Sequence, residues 1–155
     1  MPFQPFTQSE VTRIFHLSEG AGVDGHHTGH AGRKHVDITN RGLADRLAAP
    51  TRKGGGLAAF TAFLRFSDQV AAAVEMLNAP EQDQDLEAFR VQARAGDELR
   101  LEHRLTTSTF PMRYAIGGGG QTFPCNQFTL WGRKVPGRPR DLHIVTFFGE
   151  FGTLA

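Results

Sequence analysis

Apolar residues recur along this chain first with a helical period and then with a strand period, and the change falls near Asp97. Val11, Ile14 and Phe15 share one face of a short helix from about Glu10 to Leu17, for which Ser9 is a candidate N-cap. The Gly- and His-rich stretch from Gly20 to Gly32 reads as a loop. A second helix is expected from about Arg41 to Ala49, capped by Thr39 or Asn40 and stopped by Pro50, with Leu43 and Leu47 on one face. Thr51 to Gly56 is a basic connector. Leu57 to Phe66 places Phe60, Phe63 and Phe66 at spacing three, which suits a turn of helix or a short strand, and both readings stand. Ser67 then caps an amphipathic helix, Asp68 to Leu77, with Val70, Val74 and Leu77 as its buried stripe and Asp68 suited to the helix dipole. Pro80 opens another, running to about Ala95 and ended by Gly96, with Leu86, Phe89 and Ala93 facing inward.

Beyond Asp97 the period becomes two. Leu99, Leu101, His103 and Leu105 alternate with charged residues as in a half-buried strand. Phe110 to Ile116, Thr122 to Trp131 and Leu142 to Phe148 are three further strands, divided by the glycines 117–120 and by a Pro/Gly-rich turn at 136–139. Pro111 and Pro124 mark strand ends or sheet edges. Helices followed by antiparallel strands define an α+β fold rather than a doubly wound one. We read 1–155 as one domain, with an N-terminal extension (1–20), a helical half (21–96) and a sheet half (97–151).

Composition narrows the picture. A length of 155 residues supports one sizeable core, and 13 Phe against one Trp and one Tyr give it an aromatic bias. A net charge of +1 excludes a protein that coats a phosphate backbone but not an enzyme that grips a few phosphates. Basic clusters at Arg33-Lys34, at Arg52-Lys53, and at Arg133-Lys134 with Arg138 and Arg140 are each expected to be solvated surface. The single cysteine, Cys125, excludes an internal disulfide and a Cys2His2 zinc site. No apolar run is long enough to span a bilayer, and the N-terminal residues do not have the form of a Sec signal peptide.

Candidate chemistry concentrates in Gly29-His30-Ala31-Gly32-Arg33-Lys34-His35-Val36, with Arg46 eleven residues after His35. An imidazole moves protons near neutral pH, and a guanidinium is a planar fork that fits a phosphate. Gly29-His30 with Lys34-His35-Val36, then Leu43 with Arg46-Leu47, then Phe66-Ser67-Asp68 leading into Val70-Ala71-Ala72-Ala73, then His143-Ile144-Val145-Thr146-Phe147-Phe148 follow one another in an order. That order resembles the C-terminal RNase A-like toxin domain of contact-dependent growth inhibition and other bacterial polymorphic toxin systems. The resemblance covers about residues 20–150. It implies a barnase/EndoU/colicin/RelE-like fold, with N-terminal helices packed on a small twisted antiparallel sheet, and a site between helices and sheet. It places the family's catalytic His on His35, its Arg on Arg46 and its last-strand Thr on Thr146. The family's Tyr falls on Phe148, which lacks a hydroxyl, and the Pro that follows falls on Gly149. It further implies an RNA substrate, tRNA among the classes, a cognate immunity protein, no cofactor and no metal, and delivery into the cytoplasm of a target bacterium.

Metal-independent RNA cleavage needs a base for the 2′-hydroxyl, an acid for the leaving 5′-oxygen and donors for the phosphorane charge. His35 is the expected base or acid, Arg46 the phosphate clamp and Thr146 a donor to a non-bridging oxygen; His30, Lys34 and Phe148 are expected substrate contacts. The second proton-transfer group is not evident, because His143, three residues before Thr146, points to the opposite face of a regular strand unless a bulge intervenes. Three rivals remain. His26, His27, His30 and His35 could bind a metal. The same fold could hydrolyse NAD, with Glu150 supplying the carboxylate. Or, lacking the tyrosine, the chain could be an inactive binding module.

Overall fold

The computed structural model describes residues 4–19, 60–106, 108–116 and 119–150. They form an α+β fold of three α-helices and two three-stranded antiparallel sheets. The helices are α1 (Gln8–Ser18), α2 (Phe66–Leu77) and α3 (Asp83–Gln92), the last preceded by a 3-10 turn at Pro80–Gln82. The strands are β1 (Phe60–Phe63), β2 (Glu98–Arg104), β3 (Phe110–Ile116), β4 (Gly119–Cys125), β5 (Gln127–Lys134) and β6 (Leu142–Gly149). One sheet has the order β1-β3-β4 and the other β2-β5-β6.

Several element ends differ from expectation for local reasons. The cap of α1 is Thr7, not Ser9: Thr7 Oγ1 accepts from the Glu10 amide at 3.1 Å while the Glu10 carboxylate accepts from the Thr7 amide. Ser67 lies inside α2, whose N-cap, Arg65, makes no side-chain cap. Helix α3 ends at Gln92 because Ala93 is already extended. The expected strand from Thr122 to Trp131 is two strands broken at Asn126, whose carbonyl accepts from the Leu105 amide. The choice left open at 57–66 resolves into strand β1, with Phe66 opening α2. Pro111 and Pro124 stand opposite each other in the β3–β4 register, a position where neither nitrogen is asked to donate between the strands.

Phenylalanine joins the layers. Phe63 of β1 stacks on Phe128 of β5 and Phe147 of β6, with ring centroids 5.7 and 5.8 Å apart. Phe15 of α1 meets Phe147 at 6.0 Å and Phe66 at 5.9 Å. All but Phe66 are buried, so the aromatic bias of the composition becomes the seam between the two sheets. Gly149 lies at this seam. A Cβ there would press on the sulfurs of Met112 and Cys125, so a residue larger than glycine, such as the family pattern's proline, would have to displace those side chains. Burial pushes the Cys125 thiol up to about 11.

The third basic cluster is built into the structure rather than solvated. Lys134 is buried, and its Nζ donates to the carbonyls of Phe89 (3.0 Å) and Arg90 (3.1 Å) in the last turn of α3, the negative end of that helix. Arg138 donates to the Leu17 carbonyl near the end of α1. Arg140 donates to both Glu10 carboxylate oxygens and to the carbonyls of Gln4 and Pro5, with its guanidinium over the Phe6 ring. Among the described residues no helix is long and apolar enough to cross a membrane.

Candidate active site on the outer face of the β2-β5-β6 sheet

Two helices hold strand β6. Ser18 Oγ of α1 accepts from the Ile144 amide at 3.0 Å and donates to the Ile14 carbonyl. Gln69 Nε2 of α2 donates to the Phe147 carbonyl at 3.3 Å. Both side chains are buried, and they satisfy main-chain groups on the margin of β6 that faces away from β5.

On its other margin β6 pairs with β5, and the register breaks once. Trp131 lies opposite Thr146, but Gly132 lies opposite Ile144, so Val145 is an extra residue in β6. This β-bulge changes the facing of everything before it. Thr146 shares a face with its partner Trp131, and His143 shares a face with its partner Arg133; Trp131 and Arg133, two residues apart, share one face. Thr146 and His143 are therefore brought to the same side of the sheet, which an unbroken strand would forbid. Gly132 permits the bulge: a Cβ there would stand 2.9 Å from the His143 carbonyl oxygen.

Three cross-strand rows result on this outer face. Glu98, Arg133 and His143 form one, Arg100, Trp131 and Thr146 the next, and Glu102, Thr129 and Phe148 the third. His143 is fully enclosed and Thr146 is 6% exposed. Thr146 Oγ1 is buried and has no hydrogen-bond partner among the described residues. An unpaired buried hydroxyl costs stability. Phe148 is half-buried on the same face, as the period of two predicts. Its ring has no proton to donate. Thr129 Oγ1 donates to Glu150 Oε1 at 2.8 Å, so the Glu150 carboxylate also reaches this face.

Of the residues singled out from the sequence, Thr146 and Phe148 lie here. His30, Lys34, His35 and Arg46 lie outside the described residues, as do His26 and His27 and the two basic clusters before residue 60. His143, set aside from sequence unless a bulge intervened, lies on the same face as Thr146, because the bulge is present. An apolar cavity of about 140 Å³, lined by Phe6, Leu86, Phe89, Leu99, Arg140 and Leu142 among others, lies on the core side of the sheet, and its lining among the described residues presents no imidazole or hydroxyl.

No family model and no curated protein matches the chain. A solved structure does: a chain of the CdiA-CT/CdiI complex from Y. kristensenii 33638 superposes with a TM-score of 0.59 at 14% identity, over 78% of this chain and 98% of that one. The chain thus has the fold seen in that complex.

Proposed function

We propose that the chain is a toxin domain of the contact-dependent growth-inhibition type that cleaves RNA without a metal. The observation that carries this reading is the buried hydroxyl of Thr146 on β6, unpaired among the described residues, at the position where the family resemblance puts a catalytic threonine. The fold shared with a chain of a CdiA-CT/CdiI complex supports it.

In this reading the substrate 2′-oxygen loses its proton and attacks phosphorus. The bond to the 5′-oxygen breaks, leaving a 2′,3′-cyclic phosphate and a 5′-hydroxyl. His35 exchanges protons, Arg46 holds the phosphate and Thr146 donates to a non-bridging oxygen as negative charge builds. Lys34 and His30 contact substrate and Phe148 packs against a base. The second proton transfer falls to His143, the one imidazole among the described residues that shares the face of Thr146. The partner is an acidic immunity protein, because opposite charge speeds capture of a phosphate-binding cleft. The site of action is the cytoplasm of a target bacterium.

A second reading has one observation in its favour. The Glu150 carboxylate, held by Thr129, lies where a glycosidic oxocarbenium centre could be stabilised, which keeps NAD hydrolysis in play.

Incubating the purified chain with total RNA and with NAD, in chelator, separates the cases. RNA loss with cyclic phosphate ends, abolished by His35→Ala and by Arg46→Ala without a drop in melting temperature, supports the nuclease. NAD loss with intact RNA supports the second reading, and loss of neither identifies a binding module. Unprotected cytosolic expression should poison bacteria; healthy growth with folded product recovered counts against a toxin.

A further inference from the structure

The row that contains Thr146 continues to the rim of the sheet. Arg100 on β2 lies opposite Trp131 on β5, which lies opposite Thr146 on β6. From Thr146 to Arg100 is two strand spacings, about 10 Å. The Arg100 guanidinium sits 5.3 Å from the Trp131 ring centroid and that of Arg133 5.6 Å from it, so one indole is flanked by two permanent cations. Arg100 is half exposed.

Glu98 orients both cations. It accepts from Arg100 Nε at 3.3 Å and stands 3.6 Å from a terminal nitrogen of Arg133. It uses only the Nε edge of Arg100, whose two terminal nitrogens make no hydrogen bond among the described residues. Arg133 Nη1 is already spent on the Gly96 carbonyl at 3.1 Å, while its Nε is buried with no hydrogen-bond partner among the described residues. The free terminal N–H groups of Arg100 beside an aromatic plane suit a ligand with both an anionic oxygen and a flat ring. A nucleotide has both; an acidic peptide has only the first.

We propose that Arg100, Trp131 and Arg133 form a subsite for single-stranded nucleic acid, which holds the nucleotide beside the one whose phosphate lies at Thr146. The base stacks on the guanidinium–indole layer, and its phosphate takes the terminal N–H groups of Arg100. A duplex does not fit the proposal, because paired bases keep their faces stacked on one another. The assignment rests on the nuclease reading for the position of the scissile phosphate.

Trp131 is the only tryptophan of the chain, so its emission reports on this subsite directly. The probe is a short single-stranded oligodeoxynucleotide, which lacks the attacking 2′-hydroxyl and is not cleaved, titrated into the full chain. A saturable change in emission is expected. Arg100→Gln should weaken its midpoint about tenfold and reduce the slope of log affinity against log salt by about one. Arg100→Lys, which keeps the charge but loses the plane, should fall between. No emission change, or a midpoint indifferent to Arg100, overturns the subsite. So does an equal response to polyglutamate of matched charge, which would make the surface a protein-docking site. Oligonucleotide binding without RNA cleavage leaves the subsite standing and removes the nuclease; RNA cleavage without the emission change does the reverse.

Discussion

The two faces of the β2-β5-β6 sheet obey different rules although they share every strand. The inner face carries Leu99, Leu101, Phe128, Leu130, Ile144 and Phe147, all buried in one core cluster. Its energetics are additive burial, and each side chain is interchangeable with another of similar size at modest cost. The outer face carries Arg100, Trp131, Arg133, His143 and Thr146, where charges flank an aromatic ring and one hydroxyl is buried unpaired. There a buried hydroxyl goes without a partner among the described residues, at a cost in stability. The contrast teaches that adjacent residues on one strand, Thr146 and Phe147, can be held in place for opposite reasons.

Substitutions at those two positions test the contrast most severely. Phe147→Ala should cost about 3–5 kcal/mol, because it opens a cavity where Phe15, Phe63 and Phe128 meet. Chemical denaturation would show it as a lowered midpoint; an unchanged midpoint would mean that the aromatic seam is not structural. Thr146→Val keeps the shape and removes the hydroxyl. It should lower RNA cleavage about a hundredfold while leaving stability unchanged or raising it by about 1 kcal/mol. A marked loss of stability would show that the hydroxyl is a packing feature and would merge the two faces into one.

Gly132→Ala probes the bulge that makes the outer face what it is. The added methyl group presses on the His143 carbonyl and the Leu142 side chain, and should cost about 1–3 kcal/mol. Activity should fall further than the fraction unfolded explains. A variant that loses stability and activity in strict proportion would count against the register shift as a functional device. The smallest effect belongs to the ion pair of Glu10 with Arg140. Hydrogen bonds from Arg140 hold the Glu10 carboxyl below its ordinary range, against a smaller opposing push from burial. A carboxyl whose pKa is lower in the folded chain adds stability that is complete above its unfolded pKa and disappears as the pH falls through the folded one. Melting temperatures of the wild type and Glu10→Gln should therefore differ at neutral pH and converge below about pH 4. A constant difference across that window would mean that the Arg140 contact does not depend on charge.

The inner face was legible from sequence because burial follows period. Leu99 and Leu101 on β2, Val11, Ile14 and Phe15 on α1, and Leu86 and Phe89 on α3 are all buried where alternation or helical spacing puts them. Element ends were less legible, since neighbouring polar residues compete for one capping role. Thr7 and Ser9 both precede Glu10, and only Thr7 stands three residues before it, as a capping box requires. The spacing of Phe60, Phe63 and Phe66 fitted a helix because two different elements contribute to it. The outer face was legible only at Thr146 and Phe148. His143 was not, because an inserted residue is invisible to a period of two: Val145 is an ordinary strand residue in type and carries no mark of being unpaired. Arg138 and Arg140 looked like solvent-facing charge because their acceptors lie more than 120 residues away.

The sealing of β6 has a consequence for how this chain meets other chains. Unpaired strand margins invite a stranger's backbone to continue the ladder. Here Ser18 and Gln69 plug one such margin with hydroxyl and amide. Glu98, Arg100, Glu102 and Arg104 line β2, the opposite edge of the same layer, with alternating charge, and Pro124 interrupts β4, one of the two edge strands of the other. A chain that adds a strand at β2 meets alternating charge, and one that adds at β4 meets a proline, so at those two edges a partner gains more from side chains than from backbone.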